Sequence, residues 1–166
     1  MGLTRCVSTM RLKPTLSLAN DATSGISVSP TALAPADKPY DSTTTPPATK
    51  YAGQTEAITG GSNTIDLTAL VDIEGNAVDG SGLTVQEVVI QAASANVAPI
   101  VVSGGVADPY ELFGSGNSVS IEAGGTLMMR FNDMLDEIAT STASTATDIK
   151  FTGTTGDIYT YEFLLG

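Results

Sequence analysis

The sequence contains no histidine and no tryptophan, and its only cysteine is Cys6. Histidine is the side chain that most often acts as a general base near neutral pH, and histidine and cysteine are the principal zinc ligands. A single cysteine cannot form a disulfide within the chain, which indicates folding in a reducing compartment. We therefore expect a protein that is not an enzyme and that uses no metal or other cofactor.

Basic residues are also scarce, with 7 Lys and Arg against 18 Asp and Glu and a net charge of -11. Residues 1–50 carry a net charge of +2, whereas residues 51–166 carry -13. Because nucleic acid is bound through clustered Lys and Arg, we expect no nucleic-acid partner. This uneven distribution of charge indicates a basic segment that docks on a partner and an acidic body that faces solvent. An acidic domain preceded by a neutral leader explains the distribution equally well.

Long apolar runs are missing as well. No stretch approaches the roughly 20 apolar residues that a membrane-spanning helix needs. The basic residues near the start are not followed by an apolar stretch of signal-peptide length. We therefore expect no membrane partner and synthesis in the cytoplasm without export.

Near the N-terminus, apolar and polar residues alternate as in an amphipathic strand. The apolar positions are Met10, Leu12, Leu16 and Leu18, and the opposite face carries Arg11, Lys13, Thr15 and Ser17. Pro14 cannot donate a ladder hydrogen bond, so the strand should lie at a sheet edge. Such an edge strand can pair with a neighbouring subunit, and we count the four apolar residues as candidate interaction residues.

Residues 30–49 hold five of the eight prolines and few large apolar groups. This composition predicts an extended arm that is ordered where it lies against something, or else a flexible linker. We place the arm at residues 1–53 and a body at residues 54–166. Tyr40 and Tyr51, at the end of the arm, are further candidate interaction residues.

Beyond residue 54, short segments with strand-like alternation follow one another with turn signals between them. They are residues 63–67, 83–93, 99–103, 110–113, 119–121, 127–131, 149–151 and 159–165. Residues 83–93 should be central and buried on both faces, and Tyr159 and Tyr161 should belong to the core. The pattern predicts an all-β fold, an antiparallel β-sandwich that is jelly-roll-like with about eight strands and an extended N-terminal arm.

Two acidic stretches interrupt this pattern. Residues 133–139 have apolar residues near helical spacing, and Asp133, Asp136 and Glu137 there could form a carboxylate pair, although an acidic helical turn is the simpler interpretation. Oxygen-bearing side chains alternate from Asp72 to Asp79, as in a calcium loop. The glycine and glutamate positions of an EF-hand loop are not met, so a solvated acidic turn is the preferred interpretation.

Several segments of the body follow one another in a single layout, in which a strand leads through a hairpin and a proline or glycine kink to a strand that closes on a Gly-Gly turn. They are residues 83–92 (LTVQEVVIQA), 96–105 (NVAPIVVSGG), 109–114 (PYELFG) and 119–127 (VSIEAGGTL), with 66–70 (DLTAL) before them and 163–166 (FLLG) at the end. Over residues 54–166 this layout resembles small virion proteins of tailed bacteriophages.

The resemblance implies a capsid decoration or cement protein with a jelly-roll-like body on the capsid exterior. Its expected partners are the major capsid protein and further copies of itself, as a homotrimer. The alternative is a tail- or fibre-associated module that binds host glycan, for which exposed aromatic residues in loops would be needed. Only Tyr40, Tyr51 and Tyr110 are candidates for that role.

Overall fold

The computed structural model of the chain describes the backbone of residues 6–8 and 38–40 and all atoms of residues 48–131, 138 and 146–166. Strands and turns make up these residues, which contain no helix. The strands are β1 (Cys6–Ser8), β2 (Lys38–Tyr40), β3 (Lys50–Ala57), β4 (Ser62–Asp66), β5 (Leu70–Val71), β6 (Ala77–Val78), β7 (Val85–Ala92), β8 (Ile100–Gly104), β9 (Ser118–Ile121), β10 (Thr126–Arg130), β11 (Asp148–Thr152) and β12 (Ile158–Leu165).

Eight of these strands form two four-stranded antiparallel sheets, in the orders β10-β7-β12-β3 and β4-β11-β8-β9. Along the chain, successive members of this set lie in alternate sheets, except that β8 and β9 are neighbours in one sheet. This order is the double Greek key of a jelly roll. The predicted fold class, an all-β antiparallel sandwich, is confirmed.

The core lies between the two sheets and is built from residues at alternate strand positions. On β12, Tyr159, Tyr161 and Phe163 are buried, whereas Ile158 and Glu162, at the alternate positions, are exposed. Phe151 of the opposite sheet stacks on Tyr159, with the ring centroids 4.2 Å apart and the planes at 10°. Stacked pairs of this kind stabilise by about 1 kcal/mol beyond their area burial, so this contact joins the sheets at their centre.

The hydroxyl groups of the two core tyrosines reach polar partners at the β3 edge. Tyr159 Oη donates to Glu56 Oε2 at 3.1 Å, and Tyr161 Oη donates to Gln54 Oε1 at 3.3 Å. Asn63 of β4 donates to the Tyr159 hydroxyl at 3.3 Å. Two inward positions of β3, Gln54 and Glu56, are therefore polar because buried hydroxyl groups need hydrogen-bond partners.

Strand β3 is absent from the strands that the sequence predicts. It pairs with β12 along its full length, from Lys50 opposite Leu165 to Ala57 opposite Ile158. It also lies across the boundary that we place between residues 53 and 54, so residues 50–53 are part of the sheet.

Two predicted strands have contrasting outcomes. The segment at residues 83–93 is β7, which lies between β10 and β12 and buries Val88 and Ile90. The prediction of a strand at residues 110–113 is wrong, because this segment forms a turn region in which Tyr110 and Leu112 are buried. The Tyr110 hydroxyl accepts a hydrogen bond from the Val85 backbone N–H at 3.1 Å, which ties this segment to the start of β7.

In the N-terminal region, Cys6–Ser8 pairs antiparallel with Lys38–Tyr40, with Ser8 opposite Lys38. The predicted strand with Met10, Leu12, Leu16 and Leu18 lies outside the described residues. So does the predicted helical turn at residues 133–139, apart from Ile138. The Ile138 side chain is fully buried, and its backbone exchanges hydrogen bonds with Leu83 and Gly82.

Asp157, only 3% exposed, joins two loops at one end of the sandwich. Its Oδ1 accepts from the Val97 N–H at 2.8 Å and its Oδ2 from the Thr154 N–H at 2.9 Å. An asparagine has one acceptor oxygen, so Asp157→Asn would set an amide NH₂ against one of these buried N–H groups. We expect a loss of about 1–3 kcal/mol in the free energy of unfolding, measured in urea.

The matched control is Asp66→Asn. A single oxygen of the exposed Asp66, Oδ1, accepts from both the N–H and the hydroxyl of Thr68. Asparagine keeps that oxygen, so the expected change stays within about 0.5 kcal/mol. Equal losses in the two variants would contradict the role assigned to the second Asp157 oxygen.

Burial raises the pKa of the Tyr159 hydroxyl, and burial with the nearby Glu56 charge raises the pKa of Tyr161 to about 12. Below pH 10 both groups are protonated whether the chain is folded or unfolded. Above pH 10 the unfolded chain loses these protons first, so the free energy of unfolding should fall as pH rises from 10 towards 12. Each tyrosine contributes a slope of at most about 1.4 kcal/mol per pH unit.

Urea unfolding at pH 8 to 12 tests this expectation. Tyr161→Phe removes one titrating group and should make the alkaline slope shallower. Phe163→Leu should lower the free energy of unfolding at every pH and leave the slope unchanged. A Tyr161→Phe slope identical to that of the parent would show that Tyr161 ionises equally in the two states.

Candidate interaction surface on one sheet

The sheet β10-β7-β12-β3 has a face that points away from the core, which we call the outer face. Its members are identified by alternation, because their neighbours along each strand are the core residues, such as Ala52, Val88, Tyr161 and Phe163. A 2.8 Å hydrogen bond between the Thr55 and Thr160 hydroxyls, across β3 and β12, agrees with this assignment.

Strand register arranges the outer face in three rows that each cross all four strands. The distal row is Thr55, Thr160, Gln91 and Thr126; the middle row is Gly53, Glu162, Val89 and Met128; the entry row is Tyr51, Leu164, Glu87 and Arg130. The entry row lies where the chain enters the sandwich, since the fully buried Ala48 comes just before β3 and the Thr49 N–H donates to Leu165 O at 2.8 Å.

The distal row and the entry row differ in burial. In the distal row, Thr55, Gln91 and Thr126 are exposed. In the entry row, Leu164 is 5% and Glu87 6% exposed, although both side chains point away from the core. The outer face is thus polar and open at one end and largely withdrawn from water at the other.

An ion pair lies in the entry row. Arg130 Nε donates to Glu87 Oε2 at 2.9 Å, between neighbouring strands, and both side chains are mostly buried. Next to it, β7 carries a bulge, because Leu164 lies opposite Glu87 while Leu165 lies opposite Val85. The extra residue, Gln86, is fully buried and its Nε2 donates to Gly166 O at 3.2 Å.

Gly53 leaves room for its neighbours in the middle row. A Cβ atom at this position would lie 3.1 Å from the Tyr51 hydroxyl and 3.3 Å from Glu162 Cγ. The Tyr51 side chain therefore reaches along β3 over Gly53, towards Glu162. An aromatic side chain that covers a glycine protects the exposed backbone of an edge strand.

Beside these residues, the hairpin of β5 and β6 closes one side of an open groove of about 380 Å³. Its floor includes Gly53, Thr55, Thr160 and Glu162, and its wall includes Tyr51 and the turn at Asp72, Ile73 and Gly75. Ile73 on this wall is 77% exposed. A second open groove, also of about 380 Å³, lies at the distal end of the outer face, between Thr160 and Gly124.

The Asp72 and Asp79 carboxylates of the acidic turn accept hydrogen bonds from neighbouring residues of the same turn. Asp72 accepts from the backbone N–H groups of Glu74 and Asn76 at 2.8 and 2.9 Å and from the Asn76 side chain. The Asn76 side-chain hydrogen bond is the main cause that lowers the Asp72 pKa. Likewise, hydrogen bonds from Ser81 lower the pKa of Asp79. Among residues 48–131, 138 and 146–166, no group of three or more Asp, Glu, His or Cys side chains could hold a metal ion.

The candidate interaction residues fall in different places. Tyr51 lies in the entry row and in the groove wall. Tyr40 ends β2, where only the backbone is described. Met10, Leu12, Leu16 and Leu18 are outside the described residues. Sequence analysis missed Glu162, Leu164 and Glu87, which come together only through strand register.

Within the described ranges, no helix is long and apolar enough to cross a membrane. No protein-family model matches the sequence, and neither curated proteins nor solved structures show a match to it.

Proposed function

We propose that this chain is a non-enzymatic structural protein of a bacteriophage virion, which binds the outer capsid surface and cements or decorates the shell. The observation that carries the proposal is the jelly-roll order of the two sheets, an architecture that recurs in viral capsid domains. The resemblance of residues 54–166 to small virion proteins supports the same conclusion. The partner is the major capsid protein, and the copies act as a homotrimer on the capsid exterior.

The distribution of charge indicates which part of the chain makes the contact. Residues 51–166 carry a net charge of -13, whereas residues 1–50 carry +2. Acidic bodies repel one another, so attraction between copies and the shell has to come from other groups. The arm supplies Arg5, Arg11 and Lys13, and several copies held side by side on a lattice gain affinity through multivalency.

Cosedimentation with capsids that lack this protein tests the proposal. The full-length chain should bind saturably, and Arg11→Gln with Lys13→Gln should weaken binding about tenfold, because two favourable charge contacts are lost. The control is Thr154→Glu with Thr155→Glu, in an exposed turn at the distal end. It lowers the net charge by the same two units, and its binding should equal that of the parent.

Equal weakening in both variants would show that only net charge matters and would remove the arm from the contact. No binding by the full-length chain would overturn the capsid proposal and favour the alternative below. A truncated chain should keep Ala48 and Thr49, because these residues are packed and hydrogen-bonded against the end of β12.

The alternative is a host-glycan-binding module of the tail or a fibre, and the groove beside the β5-β6 hairpin favours it. The groove combines an aromatic side chain, Tyr51, with the Thr55 and Thr160 hydroxyls and the exposed Glu162 carboxylate. Hydroxyl and carboxylate groups beside an aromatic ring are suited to a sugar. By contrast, Tyr110 is a core residue at 2% exposure and is not available for this role.

This alternative predicts that the chain binds an oligosaccharide on a glycan array and that Glu162→Ala abolishes the signal. Removal of the carboxylate takes away a hydrogen-bond acceptor for sugar hydroxyls on the groove floor. Glu122→Ala, at an exposed turn away from this groove, is the matched control and should bind as the parent does. Failure of the full-length chain to bind any glycan would remove the alternative.

A further inference from the structure

One long side of the sandwich is bordered by two edge strands. Among the described strands, β10 is the last member of one sheet and β9 is the last member of the other. The tight turn at residues 122–125 joins them, and in it the Gly125 N–H donates to Glu122 O at 2.7 Å. An edge strand presents a row of N–H and C=O groups that can pair with a further strand. We call this border of the sandwich the β9-β10 side.

The apolar core reaches the surface along the β9-β10 side. Val119 of β9 and Leu127 and Met129 of β10 lie opposite core residues of the neighbouring strands and pack against the core, but each is only half-buried. By contrast, Val88 of β7 and Val102 of β8, one strand further in, are fully buried. The sandwich is therefore apolar and incompletely closed at this side.

The opposite side, where β3 and β4 meet, is protected. The β5-β6 hairpin lies against β3. At the corner between β3 and β4, the Asn63 side chain donates to Ala57 O at 2.8 Å and accepts from the Thr59 N–H at 3.0 Å. The exposed carboxylate of Asp66 ends β4. Covering segments and charged side chains are the means by which natural proteins keep edge strands from pairing.

The β9-β10 side has no charged residue in the corresponding positions. Residues 118–121 (SVSI) and 126–129 (TLMM) contain neither a charged residue nor a proline. This strip is uncharged although residues 51–166 carry a net charge of -13. Two acidic bodies repel each other least where they meet through an uncharged strip, so a second copy of this chain is best received here.

A second copy also satisfies the hydrogen-bond geometry of an edge. Two antiparallel strands are related by a two-fold axis normal to their sheet, so an edge strand is complementary to its own copy. We propose that two copies of this chain associate through their β9-β10 sides, with β10 of one copy antiparallel to β10 of the other.

One register pairs all five residues of β10, and it is centred on Met128. In this register Leu127 of one copy lies opposite Met129 of the other. Arg130 lies opposite Thr126 of the other copy, so no like charges face each other across the new strand pair.

The same axis places the two β9 strands side by side in the second layer, because the axis is normal to both sheets. The half-buried Val119, Leu127 and Met129 of the two copies then cover one another. The strip is about 17 Å long and about 10 Å deep. This is well below the roughly 800 Å² per partner that a stable interface buries, so we expect a weak dimer that dissociates on dilution.

This inference goes beyond the proposed function and does not rest on it. On a capsid, a contact with two-fold symmetry would join copies that belong to neighbouring trimers. Weak contacts that are repeated over a lattice add to one another through multivalency.

Disulfide trapping of the purified full-length chain tests the register. In a Cys6→Ser background, Met128→Cys places each new thiol opposite its own copy, at a Cα separation of about 5 Å that allows a disulfide. The control is Thr126→Cys, on the same face of the same strand, whose two copies lie about 14 Å apart. At 100 µM, mild oxidation should cross-link Met128→Cys at least about tenfold faster. Random collisions would favour the control, because Thr126 is the more exposed residue.

Sedimentation equilibrium between 5 and 500 µM measures the dimer itself. Met128→Lys places two ammonium groups opposite each other and removes an apolar contact, so the dimer Kd should rise about tenfold. The matched control is Thr64→Lys, which adds the same charge at an exposed position of β4 on the opposite side. Its dimer Kd should equal that of the parent.

A chain that stays monomeric up to 500 µM would overturn the proposal. Equal cross-linking of Met128→Cys and Thr126→Cys would also overturn it, as would equal effects of Met128→Lys and Thr64→Lys, because the contact would then lie elsewhere. These measurements use no capsid, so a failed dimer and failed capsid binding are separate results.

Discussion

The contact on which the sandwich depends is the stack of Phe151 on Tyr159, which joins the two sheets at a ring separation of 4.2 Å. Tyr161 and Phe163 continue it along β12, with Tyr161 6.1 Å from Phe151 and 5.2 Å from Phe163. A tyrosine in a core brings a hydroxyl group that needs a partner. That requirement accounts for Gln54, Glu56 and Asn63 at the edge where β3 and β4 meet, so the aromatic core determines the polarity of the strands beside it.

Those polar partners also explain what could be predicted from sequence. β7 and β12 were predictable because each carries several large apolar residues in a short run, with Val88 and Ile90 on the inner side of β7 and Tyr159, Tyr161 and Phe163 on the inner side of β12. β3 was not, because its inward positions are the small Ala52 and the polar Gln54 and Glu56, which serve tyrosines about 100 residues away. At Tyr110 and Leu112 the error was the opposite one, because a strand was predicted where the chain forms a turn region. A buried turn region needs apolar side chains as much as a strand does. Alternation reports which side chains are buried, and tertiary contacts decide whether the backbone is extended.

The candidate surface was less predictable than the fold, for a related reason. Tyr51, Leu164, Glu87 and Arg130 form one row although they come from four strands spread over more than 110 residues. Only the register brings them together, and a shift of one residue would send Leu164 into the core and Leu165 outward. Two adjacent leucines at the end of β12 were the available signal, because a strand with one solvated face should not carry apolar residues on both sides.

Electrostatics constrains how such a body can work in an assembly. With a net charge of -13 on residues 51–166, copies brought together repel one another, and screening at physiological salt limits this repulsion to about 8 Å. Contacts between subunits are closer than that, so a surface that joins two copies must carry either opposite charge or apolar area. The outer face offers the half-buried Val89 and Met128 of its middle row as apolar area, and residues 1–50 offer the opposite charge. The distal row, in which Thr55, Gln91 and Thr126 are exposed, faces solvent.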